Sequence, residues 1–297
     1  MHDFTKHLTP KWEIEEFWVV HSLEPERKGI NNSMLFDYHM HTPLCGHATG
    51  HPREYAAEAV RKGLGEIGFS EHNPMPEKFD DWRMDLGDFP KYLELLAEAR
   101  REHPRLPIRL GLECDFIPGR ESWVRDLAKK AEFDYLIGAV HYITPDWDVD
   151  NPLKLDRWKQ QPVEEVWTRY FQAIAQAAQS GLFDFLAHPD LVKKFGHVPK
   201  GDLLPYYQEA LDAIEASRMA IEVSTAGLRK EVGEIYPSVQ FLQEAFRRKI
   251  PVLISSDSHA PQEVGYEFQK ALSLVKEVGY RELTAFKQRR KFRIPIT

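Results

Sequence analysis

Seven times along this chain a short β-rich run leads into a polar loop and then into a segment with helical spacing. The runs cover residues 35–41, 66–72, 108–116, 135–143, 183–188, 220–225 and 251–259. Strands that alternate with helices must pair in parallel, because a parallel neighbour is reached only through a crossover. Near-continuous apolar runs such as Val252-Leu253-Ile254 mark strands covered on both faces. The covering helices show as stripes. Pro162 opens one in which Val163, Val166, Trp167, Tyr170, Phe171, Ile174, Ala177 and Ala178 share a face before Gly181. Tyr55, Ala56, Ala59 and Val60 line a second between Pro52 and Gly63, and Val239, Leu242, Ala245 and Phe246 a third.

Either a barrel or an open doubly wound sheet satisfies this alternation, and the polar residues discriminate between them. An open sheet gathers its site at a switch point from two or three strands, whereas a barrel delivers residues from nearly every strand at its C-terminal rim. Here six of the seven runs carry a histidine or an acid at or near their C-terminal end. The expectation is therefore a distorted (β/α)7 barrel, with residues 34–297 as one domain and 1–33 as an N-terminal extension lacking the repeat. Met34 stands directly before the first run and is a candidate start.

The net charge of −7 argues against a general nucleic-acid or membrane-surface binder. No run reaches the ~18 apolar residues of a membrane span, and the first thirty residues lack the basic start and apolar stretch of a signal peptide. Two cysteines, Cys45 and Cys114, are too few for a disulfide framework. A cytoplasmic protein acting on a small molecule is expected.

Nine residues sit at or just beyond the run ends: His39, His41, His47, His72, Glu113, His141, His188, Asp257 and His259. A single histidine is more often a hydrogen-bonded core or surface residue than a ligand, so their shared placement carries the signal. His39 and His41 are two apart on a strand and point to one face. Asp257 and His259 repeat the arrangement on the last run, which in a closed barrel lies beside the first. Glu113 lies in the apolar stretch Gly111-Leu112-Glu113-Cys114, where an unpartnered carboxylate would be costly. Seven histidines and two acids exceed the about four to six ligands of one ion, so two or three ions are implied. Imidazole and carboxylate suit Zn, Mn or Fe(II), and such multinuclear sites clamp phosphoryl groups. Arg229, Lys193 and Lys194 are candidate phosphate binders at the rim. Asp80, Asp81 and Asp150 are candidates for holding a cationic group of the substrate. His2, His7, His21, His51, His103 and His197 read as non-ligands.

The order HxH, His, His, Glu, His, His, DxH resembles the polymerase and histidinol phosphatase (PHP) superfamily from Leu35 to about Glu277. That resemblance implies a distorted (β/α)7 barrel around three divalent ions. His39, His41, Glu113 and Asp257 would hold the first. Glu113 would bridge to a second held by His141 and His188, and His47, His72 and His259 would hold the third. It further implies hydroxide attack on phosphorus in line with a departing alcohol, with Glu113 and Asp257 as catalytic groups and Asp257 or water as the proton source. Several stretches resemble the histidinol-phosphatase branch: Trp82-Arg83-Met84, Gly138-Ala139-Val140-His141-Tyr142-Ile143, Asp150-Asn151-Pro152, Gly181-Leu182-Phe183-Asp184-Phe185-Leu186-Ala187-His188-Pro189-Asp190-Leu191 and Lys193-Lys194-Phe195-Gly196. These imply hydrolysis of L-histidinol phosphate in histidine biosynthesis. The alternatives keep the barrel with another phosphomonoester, a nucleotide or a phosphotyrosyl peptide, or make it an exonuclease or a non-catalytic metal-binding module. Residues 144–161 read as a variable loop or lid.

Overall fold

The computed structural model describes residues 35–296; the expected extension at 1–33 and the candidate start at Met34 lie outside the described residues. In chain order the elements are β1 (Phe36–Asp37), α1 (Pro52–Lys62), β2 (Glu66–His72), α2 (Phe89–Glu102), β3 (Ile108–Asp115), α3 (Glu121–Leu127), β4 (Tyr135–Ala139), β5 (Tyr142–Thr144) and β6 (Trp147–Asp148). They continue with α4 (Val163–Gln179), β7 (Phe185–Leu186), α5 (Leu204–Ser217), β8 (Ala220–Ser224), α6 (Val239–Arg247), β9 (Val252–Ser255), α7 (Phe268–Val278), β10 (Glu282–Lys287) and β11 (Arg290–Pro295). Strands β1, β2, β3, β4, β7, β8 and β9 pair in that order, every pair parallel. The two edges then meet. The His41 amide donates to the Ser258 carbonyl at 2.9 Å and the Ser258 amide to the His39 carbonyl at 3.0 Å. The sheet thus closes into the expected distorted (β/α)7 barrel.

Local chemistry explains the helix ends. His51 caps α1 by accepting from the Arg53 amide at 3.3 Å, while Glu54 reaches back to the His51 amide at 2.5 Å. Gly63, at φ 75°, ends the helix in a left-handed conformation that L side chains resist. The expected stripe of α4 is buried as Val166, Trp167, Tyr170, Phe171, Ile174, Ala177 and Ala178. Two stripes are corrected. On α6 the buried face is Phe241, Leu242 and Ala245, with Val239 half exposed and Phe246 lying instead over Gly279 and Tyr280. On α1, Val60 turns to solvent.

The lower end of the barrel is filled by aromatic rings. Tyr38 and Tyr135 stack at 5.1 Å, Phe185 packs 5.6 Å from Tyr135, and the Tyr135 hydroxyl donates to the Tyr38 carbonyl at 2.7 Å. Tyr135 fits only because its neighbours lack side chains, since a Cβ at Gly68 or Gly111 would lie 2.2 Å from it. Phe286, from the β10–β11 hairpin that the sequence reading did not anticipate, stacks on Phe185 at 5.3 Å. The 144–161 loop is also ordered into elements: it holds the end of the β5–β6 hairpin and a 3-10 segment, Pro152–Lys159, with Trp147 and Trp158 buried edge to face. Among the described residues no helix is long and apolar enough to cross a membrane.

Candidate metal centre

At the C-terminal end of the strands all nine expected side chains converge. Glu113, 1% exposed, is the hub. Its Oε1 lies 3.1 Å from His188 Nε2 and 3.8 Å from His141 Nε2, while its Oε2 lies 2.9 Å from His72 Nδ1, 3.3 Å from His39 Nε2 and 3.5 Å from His41 Nε2. Asp257 Oδ1 approaches His39 and His41 at 3.6 and 3.4 Å. His259 stacks on His41 at 4.1 Å and His47 on His259 at 4.7 Å. The turn that brings His47 there needs Gly46, whose φ is 80°. His188 and Asp257 also have positive φ, 24° and 51°, without the freedom of glycine, so the fold holds local strain where these two groups are presented.

Three residues that the sequence reading did not single out stand behind the histidines. Glu222 Oε1 lies 2.8 Å from His39 Nδ1, and its Oε2 accepts from the His188 amide at 2.7 Å. Glu71 Oε1 lies 3.3 Å from His41 Nδ1, and its Oε2 accepts from the Thr42 amide at 2.8 Å. Asp115 Oδ1 lies 2.8 Å from His141 Nδ1. Each carboxylate is placed to accept from the Nδ1–H of its histidine, so that the proton an incoming ion displaces is the one on Nε2, which faces the centre. The signal was present for Glu222: an acid in the middle of an apolar strand, Ala220-Ile221-Glu222-Val223, needs a buried partner.

Charge is finely divided here. Burial lowers the His39 imidazole, but the Glu222, Glu113 and Asp257 carboxylates outweigh it and the pKa is raised well above its usual value. His41 is likewise raised to about 9 against burial by Asp257 and Glu71, and His141 to about 10 by Asp115. Burial and the neighbouring His41 hold His72 and His259 well below theirs. Burial favours the protonated form of Glu113 and Asp257 too, yet the imidazoles around them, His39 foremost, keep both well below the carboxylate range.

The donor set fits metal. His39 Nε2, His41 Nε2, His72 Nδ1, His188 Nδ1 and Glu113 Oε2 are buried without a hydrogen-bond partner. Several lie near one another at ion-pair distance, but without the alignment a hydrogen bond requires; they face shared points, not each other. Three groups have all their ligand atoms within 4.8 Å: His39, His41 and Asp257; His39, Glu113 and His188; His41, His72 and His259. A fourth combines His41, Cys45 and Glu71. Burial and Glu71 push the Cys45 thiol up, and it donates to the Thr42 carbonyl at 3.2 Å, so it stays a thiol.

The expected rim cations separate. Arg229 Nη2 donates to the Ser256 and Asp257 carbonyls, both at 2.9 Å, which places the guanidinium beside the cluster. Its Nε lies 3.2 Å from Glu263, and its Nη1 is buried without a hydrogen-bond partner. Lys194 pairs with Asp150 at 3.0 Å. Lys193 does not present its ammonium as the sequence reading expected: it is 2% exposed and held by Asp190, Glu234 and the Ile235 carbonyl, because a buried cation must be neutralised locally. Asp80 is bound to Arg83 and Tyr142, and Asp81 is almost fully exposed. His51 caps α1 and pairs with Glu98, in line with its reading as a non-ligand.

Compared with known families, residues 37–226 match the PHP domain. The chain belongs to the PHP domain family. Among curated relatives it is 42% identical over 252 residues to a probable histidinol-phosphatase of Deinococcus radiodurans, covering 84% of this chain and 96% of that protein. It is 31% identical over 270 residues to the histidinol-phosphatase of Bacillus subtilis, covering 80% and 97%. Among solved structures, the Lactococcus lactis histidinol phosphate phosphatase, complexed with Zn, L-histidinol and phosphate, superposes with a TM-score of 0.73 at 24% identity, covering 87% of this chain and 99% of that one. That likeness shows the shared barrel.

Proposed function

We propose that this chain is a metal-dependent phosphomonoesterase that hydrolyses L-histidinol phosphate to L-histidinol and phosphate. The convergence of nine ligand-type side chains, with Glu113 at their hub, carries the chemistry, and the similarity to histidinol-phosphatases over 84% and 80% of the chain carries the substrate. In this reading His39, His41, Glu113 and Asp257 hold one divalent ion, Glu113, His141 and His188 a second, and His47, His72 and His259 a third. Zn, Mn and Fe(II) all suit the donors. Ions bound there would draw charge from the phosphoryl oxygens and make hydroxide available at neutral pH.

The chain's own groups do the rest. Glu113 spends one oxygen on each side of the centre, which keeps the two sides at a fixed spacing. Glu222, Glu71 and Asp115 hold the protons of His39, His41 and His141 on Nδ1, away from the phosphate. Arg229, held through Nη2 on two carbonyls and with Nε beside Glu263, would place positive charge next to a phosphoryl group, while the Lys194 ammonium is paired with Asp150. Trp82 stands edge-on to His72 and His141, at 4.8 and 5.2 Å, and excludes water from that flank. Phosphate release from L-histidinol phosphate, nucleoside monophosphates and a phosphotyrosyl peptide tests the substrate. A strong preference for L-histidinol phosphate is expected; equal or better turnover of a nucleotide would overturn the assignment.

A further inference from the structure

The loop after β2 buries one arginine among groups that touch both the histidines and an aromatic wall. The Arg83 side chain is 3% exposed. Its Nη2 lies 2.9 Å from Asp115 Oδ2 and 2.5 Å from Asp80 Oδ2, its Nε donates to Asp80 at 2.8 Å, and its Nη1 donates to the Asn73 carbonyl and Oδ1 at 3.1 and 3.2 Å. The other oxygen of Asp115 is the one on His141 Nδ1. Asn73, next to His72, accepts from the Asp115 amide through Oδ1 at 3.0 Å and donates its own amide to the Glu113 carbonyl at 2.8 Å. On the other side, Asp80 Oδ2 accepts from the Tyr142 hydroxyl at 2.8 Å. The guanidinium lies 4.6 Å over the Trp82 ring, and Trp82 is stacked on Tyr142 within 11° of parallel.

We propose that Arg83 is a positioning residue that ties the His141 side of the metal centre to the Trp82–Tyr142 wall, so that one buried cation sets both ion retention at His141 and the fit of the substrate's organic part. The substrate half rests on the phosphatase reading; the ion half rests on the contacts alone. Asp115 faces two ways. Without Arg83 the Asp115 carboxylate keeps His141 on Oδ1 but its buried Oδ2 has no partner, so the group is free to rotate or draw in water and no longer fixes the His141 ring. A lysine in its place keeps the charge but is a point donor, and cannot hold Asp80, Asp115 and Asn73 together as the planar fork does.

The test loads wild type, Arg83→Met, Arg83→Lys, Asp115→Asn, Asp80→Asn and the Arg83→Met/Asp115→Asn pair with Zn. The ions kept on dialysis against a graded chelator are counted, and KM and kcat on L-histidinol phosphate are measured with metal in excess. Arg83→Met and Asp115→Asn should each weaken retention of one ion by about 10–100-fold, the usual cost of removing an outer partner. The double variant should lose no more than the worse single, because both break one link. Asp80→Asn should raise KM while keeping every ion, and Arg83→Lys should recover part of the ion retention. If Arg83→Met fails to fold, Arg83→Lys and the double variant, which removes a carboxylate together with its cation, carry the comparison. Losses that multiply in the double variant, or an Arg83 variant with all ions tightly held and an unchanged KM, would overturn the proposal. Wild type that ignores L-histidinol phosphate but shows the expected ion losses on substitution refutes the substrate reading and leaves the positioning role standing.

Discussion

Glu222→Gln is a single-atom change whose consequence follows from two hydrogen bonds. Wild-type Glu222 accepts from both of its contacts: His39 Nδ1–H at 2.8 Å and the His188 amide at 2.7 Å. A glutamine has one acceptor oxygen and one donor nitrogen, and the side chain is fully buried. The His188 amide cannot change role, so it keeps the oxygen and the new NH2 faces His39 Nδ1. His39 must then carry its proton on Nε2, the atom 3.3 Å from Glu113 and 3.6 Å from Asp257, where a nitrogen lone pair is needed to bind an ion. The alternative orientation leaves a buried donor unsatisfied at about 1–3 kcal/mol. Either way the ion beside His39 should bind about 10–100-fold more weakly, equal to about 1.4–2.7 kcal/mol at ~1.36 kcal/mol per decade. Titration of the metal-free variant with Zn, followed calorimetrically, measures this directly, and turnover should recover at high Zn. Unchanged affinity for every ion would refute the claim that Glu222 sets the His39 tautomer.

Three further outcomes are expected. Gly68→Ala places a Cβ 2.2 Å from the Tyr135 hydroxyl in a packed floor and should destabilise by about 1–3 kcal/mol in urea unfolding, while folded molecules keep their ions. His41 and His141, raised to about 9 and about 10, hold protons in the metal-free centre at neutral pH, so ions must displace them. Loading at pH 7 should therefore release protons, read from calorimetry in buffers of different ionisation heat, and affinity should fall as pH falls from 8 to 6. The same shifts stabilise the metal-free protein below the ordinary histidine pKa of about 6.5, a contribution lost as pH rises through about 9 to 10. Arg229→Met should raise KM for the phosphoester with ion count unchanged, whereas a larger loss in kcat with intact KM would move Arg229 away from substrate binding.

The barrel was legible because its signal repeats: seven apolar runs, each ending at the same rim, leave few other architectures. The β10–β11 hairpin was not, for a local reason. Its two turn residues, Gln288 and Arg289, adopt φ of 50° and 61°, positions where Asn-Gly would announce a hairpin and where these side chains announce nothing. At the site, histidines at strand ends could be read singly and then together. Glu222, Glu71 and Asp115 could not be ranked the same way, because a carboxylate behind a histidine is defined by which strand lies next to it. Lys193 shows the converse. A lysine pair after His188 suggests anion binding, but only the packed structure reveals that Asp190 and Glu234 take up the charge of Lys193 and Asp150 that of Lys194. The placement of α6's stripe was wrong by one turn position because Phe246 is apolar for a different neighbour, Gly279.

The central claim is that these nine side chains hold the ions that carry phosphomonoester hydrolysis. The most direct test strips the protein of metal, reloads it in steps, and measures ions per chain and phosphate released from L-histidinol phosphate on each sample. The account predicts no turnover in the stripped protein, with activity rising as ions load and reaching its plateau near three per chain. Turnover that survives stripping, or a fully loaded protein that releases no phosphate, would contradict it.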